Sequence, residues 1–152
     1  MSIFYCMLLV LSFGFCQQEG QAPFKISIAT EKSTVIAGAD VLITVSLTNI
    51  SNQSVEEGAM YMDGIGLDST FRFEVRGEDG KLVPQRVYPN EELRSGHVRF
   101  RTIPAGRTLT QPQPVSALFD MRKPGKYTVQ VWRPDPNYEI KSNVITITVT
   151  PE

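Results

Sequence analysis

The strongest constraint on this chain is a period of two that recurs in short segments, with no long segment showing a helical period. Phe24, Ile26 and Ile28 alternate with Lys25, Ser27 and Ala29. Val41, Ile43 and Val45 alternate with Leu42, Thr44 and Ser46. The same grammar returns at Phe71, Phe73 and Val75, at Val98 and Phe100, at Tyr127, Val129 and Val131, and in the Val144–Val149 stretch. Successive side chains of a strand point to opposite faces, so each segment reads as a half-buried strand. Turn chemistry separates them: Gly38-Ala39-Asp40, Asn49 to Ser54, Glu78-Asp79-Gly80, Pro104-Ala105-Gly106 and Asp135-Pro136-Asn137. Ser116 to Met121 is the one helical candidate, about one turn. Many short strands with ten prolines and eleven glycines predict an all-β antiparallel sandwich.

The first residues obey a different rule. Ile3 to Phe15 is apolar except for Ser12 and Gly14. A bilayer span needs about 20 residues, so the run fits the core of a signal peptide. No Lys or Arg precedes Lys25, a departure from the usual signal. We read 1–16 as signal peptide, with cleavage after Cys16 or as late as Ala22, 17–23 as linker and 24–152 as one domain. Both cysteines, Cys6 and Cys16, lie in the signal, so the folded domain has neither thiol nor disulfide. Phe13 and Phe15 fit a lipid-acceptor motif at Cys16 poorly. The expected location is secreted or periplasmic. The chain carries 15 basic and 16 acidic residues. Nothing in that balance favours nucleic acid or an anionic membrane.

At Pro124-Gly125-Lys126-Tyr127-Thr128-Val129 the chain resembles the tyrosine corner of immunoglobulin-like domains, where a phenol bonds backward to the preceding loop. Val45 to Asn49 is similar to the second strand of that superfamily. The order from Val35 to Val131 resembles proteinase-inhibitor domains of the BsuPI type and the non-catalytic N-terminal domain of deuterolysin-like, lysine-specific metalloendopeptidases. The resemblance implies an immunoglobulin-like or fibronectin III-like sandwich of about 7–9 strands, with Tyr127 and Gly125 in structural roles. It implies fold more than function.

Chemistry is hard to find. His97 is the only histidine, and zinc takes three or four protein ligands. The His-Glu-x-x-His motif of metalloendopeptidases is absent. Glu56-Glu57 and Glu91-Glu92 are adjacent in sequence, so on strands each pair would diverge, and both read as solvated charge. Asp63-Gly64 and Asp68 match no EF-hand spacing. We expect no catalytic residue, metal or cofactor. Asn49-Ile50-Ser51 and Asn52-Gln53-Ser54 are glycan acceptors if the source is eukaryotic.

Surfaces remain. The Arg72, Glu74, Arg76 and His97, Arg99, Arg101 rows are expected to face outward, forming a basic patch if their strands are neighbours. Gly58 to Ser69 breaks the alternation, and its Met60, Tyr61, Met62 and Ile65 read as a partner-binding loop or as a third strand closing the core. Trp132 alternates outward with Thr128 and Gln130 and could stack on a glycan or anchor a protein. The expected function is an exported, non-catalytic binding or structural module of the cell envelope. A proteinase inhibitor and a small glycan-binding domain are the alternatives.

Overall fold

The computed structural model describes residues 21–62, 67–68, 70–86 and 96–152. The proposed signal peptide and Ile65 lie outside the described residues. The strands are β1 Phe24–Ala29, β2 Thr34–Ile36, β3 Leu42–Asn49, β4 Val55–Met62, β5 Leu67–Asp68, β6 Arg72–Arg76, β7 Gly96–Ile103, β8 Thr108–Pro114, β9 Gly125–Arg133, β10 Ile140–Lys141 and β11 Ile145–Thr150. One helical turn, α1, spans Val115–Leu118.

Two sheets face each other. The first has the order β1-β3-β8. In the second, β9 is central. Thr128 and Val129 pair with both β6 and β11, and Trp132 pairs with both β6 and β10. So β6 lies along one side of β9, while β10 and β11 follow one another along the other. Ile26, Ile28, Ile43, Val45 and Leu47 from the first sheet share one buried cluster with Val75, Val129, Val131, Ile147 and Val149 from the second. Val115, Leu118, Phe119 and Met121 belong to the same cluster. This is an immunoglobulin-like β-sandwich, and the period-two pattern of β1, β3, β6, β9 and β11 is its cause.

Several expectations need correction. The sandwich is not wholly antiparallel, because β2 pairs in parallel with β11. The N-terminal segment switches sheets between β1 and β2. β8 was hidden by its sequence, Thr-Leu-Thr-Gln-Pro-Gln-Pro. Among the described residues β8 pairs only with β3, and an edge tolerates proline because no partner needs the missing N–H. Its inward residues are Gln111 and Gln113, both buried, so no apolar alternation announced it.

β4 and β7 form a third sheet with β5, in the order β5-β4-β7. Of the two readings of the segment from Gly58, the strand holds as far as Met62. β3 pairs with β8, and past a corner the same two chain segments pair again as β4 with β7, from Val55 opposite Ile103 to Met62 opposite Gly96. Asn49 holds the corner and is fully buried. Its Nδ2 donates to the carbonyls of Gln53 and Ile103, each at 2.8 Å, and its Oδ1 accepts from the N–H and hydroxyl of Ser51. Its own N–H donates to the Arg107 carbonyl, and its carbonyl accepts from the N–H of Gly106. Gly106 has φ +69°, the left-handed turn conformation that glycine takes without strain.

Candidate functional site

The β4–β7 ribbon reverses the usual sidedness of a strand pair. Ile103 is buried at its base. Counting back by two places Arg101, Arg99 and His97 on the face of Ile103, with Val98 and Phe100 on the other. The structure follows that phase, not the expected one. Phe100 is 70% exposed and Val98 is 52% exposed, whereas Arg101 keeps only 23% of its side chain in contact with solvent. The basic patch expected from the β6 and β7 rows does not form, because β6 pairs with β9 and β7 with β4.

Glu57 explains how the charged face can turn inward. It lies directly opposite Arg101 in the ladder, and its side chain is fully buried. Arg101 donates to Glu57 Oε2 from Nη2 at 2.9 Å and from Nε at 3.3 Å. Arg133, at the end of β9, donates to Oε1 at 3.1 Å. Arg101 Nη1 also reaches Gln111 Oε1 at 3.2 Å. The Arg133 guanidinium lies 5.3 Å from the centre of the Phe24 ring, within cation–π range. Glu57 is thus a buried bridge from the ribbon to both sheets of the sandwich, not the solvated charge expected for Glu56-Glu57. A carboxylate removed from water persists only with such partners. No sequence signal marked it beyond its parity with Ala59, which is also buried.

The outer face of the ribbon carries the candidate site. Phe100 pairs with Gly58, and a Cβ on Gly58 would sit 3.3 Å from the Phe100 ring. The missing side chain lets the ring lie against the neighbouring backbone. Met60 and Tyr61 stand opposite Val98 and His97 in the same ladder. On the opposite face, His97 Nε2 accepts from Arg99 Nε at 2.6 Å. Among the described residues, no group of three His, Cys, Asp or Glu side chains could hold a metal ion. No helix there is long and apolar enough to cross a membrane.

The tyrosine corner lies at one end of β9. The Tyr127 hydroxyl donates to the Lys123 carbonyl at 2.8 Å, and Gly125 has φ +146°, a value L side chains rarely adopt. Burial, and secondarily the charge of Asp120, pushes the Tyr127 phenol up. Arg122 grips Asp120 with two bonds of 2.8 Å and holds its carboxyl well below the usual range. Trp132 sits at the other end, 45% exposed, between Arg72 on β6 and Lys141 on β10.

No protein-family model and no curated protein matches this chain. Three solved structures show its range of similarity. A Pseudomonas fluorescens alkylpurine DNA glycosylase, AlkC, is 11% identical with TM-score 0.45, over 84% of this chain and 30% of that one. The CARDB domain of PF1109 from Pyrococcus furiosus is 12% identical with TM-score 0.44, over 84% and 94%. A Listeria innocua β-glucosidase is 14% identical with TM-score 0.43, over 86% and 16%. The chain therefore spans under a third of the glycosylase and under a fifth of the glucosidase. The fold assignment rests on the strand pairing and shared core described above.

Proposed function

We propose that this chain is an exported, non-catalytic module that binds a protein partner through the outer face of the β4–β7 ribbon. One observation carries the reading: the ribbon exposes Val98 and Phe100 while burying the charged Glu57. A strand pair serving only the fold would put the aromatic inward. Covering one large apolar side chain contributes about 1.5–3 kcal/mol, and an exposed aromatic on a rigid element is a natural anchor for a protein interface. Met60 and Met62, singled out in the sequence, pair with Val98 and Gly96 on the strand opposite, whereas Tyr61 pairs with His97 and has the other parity. Export is supported by the apolar run from Ile3 to Phe15 and the polar segment after it. The resemblance to BsuPI-type domains makes a protease one class of protein partner to try first.

The test is differential capture from the exported fraction of the native host, with wild type and a Val98→Ser, Phe100→Ser double variant as baits. The reading expects a protein retained by wild type and lost by a variant whose thermal midpoint is unchanged. Identical captured sets would reject it, as would a variant that unfolds. Titration of a panel of secreted proteases separates inhibition from simple docking.

A further inference from the structure

We propose that Trp132 is the platform of a second, independent site that takes a neutral saccharide. Trp132 lines two concavities. One, about 60 Å³, is lined by Glu74, Gln130, Val131 and Lys141. The other, about 400 Å³, lies along the chain from Arg133 to Ile140. An indole 45% exposed beside the larger hollow offers a flat apolar surface next to room for a sugar ring.

The charge around Trp132 selects the ligand class. Arg72 and Lys141 are its direct cross-strand neighbours. Lys141 is engaged by Glu139, and Arg76 Nε donates to Glu74 at 2.7 Å. Asp135 Oδ1 accepts from the N–H groups of Asn137 and Tyr138. Arg72, Arg76 and Lys141 are balanced by Glu74, Asp135 and Glu139, and Arg133, which also lines the larger hollow, is held by the buried Glu57, so the surface offers little excess charge with which to draw an ion. Gln130 donates one amide hydrogen to the Ser142 carbonyl at 2.9 Å, which fixes its orientation and leaves its Oε1 and second hydrogen for a ligand. A pyranose fits this chemistry. Its C–H face packs on the indole, and its hydroxyls both donate and accept without bringing charge.

Trp132 is the only tryptophan in the chain, so selectively excited emission reports on this site alone. Titration with neutral hexose oligosaccharides is expected to give a saturable change in that emission. Gln130→Ala should weaken binding by about tenfold, the equivalent of one hydrogen bond. Trp132→Ala should abolish retention on the matching polysaccharide, and Trp132→Tyr should keep part of it. The Val98→Ser, Phe100→Ser variant should bind saccharide as wild type does, which separates this site from the ribbon. The proposal is overturned if no neutral saccharide alters the emission of the folded protein. A response only to sulfated sugars or to peptides, or undiminished retention of Trp132→Ala, would also overturn it.

Discussion

The β3–β8 pair and the β4–β7 pair are made from the same two stretches of chain, yet they solve opposite problems. Before the Asn49 corner, Ile43, Val45 and Leu47 point into a core and the threonines face water. After it, a glutamate and an arginine turn inward while a valine and a phenylalanine face water. Strand propensity is similar on both sides. What differs is what lies behind the strand: an apolar sheet in one case, the Arg133 end of β9 in the other. Alternation therefore fixes parity in a strand, but the surface opposite decides which parity is the inside.

The sharpest break of this comparison is Glu57→Ala. It would leave Arg101 and Arg133 crowded together without their counter-charge. Removing one partner of a buried pair costs about 3–5 kcal/mol, and residual solvent contact of both arginines puts the expectation near the lower figure. Urea denaturation reads this directly. A loss below about 1 kcal/mol, the range of exposed pairs, would mean that the ribbon is not fastened through Glu57. A matched pair of truncations comes next. Leu47→Ala should cost about 2–5 kcal/mol as a core cavity, while Phe100→Ala should stay within about 0.5 kcal/mol as a surface change. Equal losses would erase the distinction between the two regions.

How much of this was legible follows the same division. The alternating runs of β1, β3, β6, β9 and β11 meet an apolar neighbour, so the sequence pattern alone locates the core there. β8 was not legible because it buries glutamines and presents prolines at an edge. β7 was legible as a strand but read inside out, since Val98 and Phe100 look like core to any rule that counts apolar residues. Glu57 could not be found from sequence, because its two arginines stand 44 and 76 residues away. Among the candidate site residues, Trp132 faces outward on β9 as its parity demanded, and Met60, Tyr61 and Met62 belong to a strand, the one of the two sequence readings that did not make them a loop.

Asn49 tests the boundary between the regions. Asn49→Ala removes the side-chain bonds that close the corner, and at about 1 kcal/mol for each of the two Nδ2 bonds the loss should be about 2 kcal/mol. It should fall on the ribbon first, seen as faster amide exchange in β4 and β7 than in β3. The same burial makes a second forecast. Expressed in a eukaryotic secretory host, the chain should carry glycan at Asn52, which is exposed, and not at Asn49, whose amide nitrogen is spent on two carbonyls. Peptide mapping that finds glycan on Asn49 would show that the corner is open when the chain is modified.

The smallest effect is expected at the other fastening, within the sandwich itself. Tyr127 closes the loop before β9 with a single hydrogen bond to Lys123, so Tyr127→Phe should cost about 0.5–1.5 kcal/mol, less than the corner at Asn49. Its pH dependence has a definite sign. The folded phenol titrates above the ordinary tyrosine value of about 10, through burial first and the nearby Asp120 charge second. Between the unfolded and folded values, the native state holds a proton that the unfolded state has released. Stability from this group is therefore fully present below pH 10 and declines as pH rises through the folded value. Tyr127→Phe should remove that alkaline decline while lowering the midpoint modestly at neutral pH. The ribbon, fastened by a carboxylate and two guanidiniums, should show no such alkaline loss. Amide exchange followed across that pH range would therefore loosen the β9 entrance before β4 and β7. If the ribbon loosened first, the two regions would share one fastening, and the contrast drawn between them would fail.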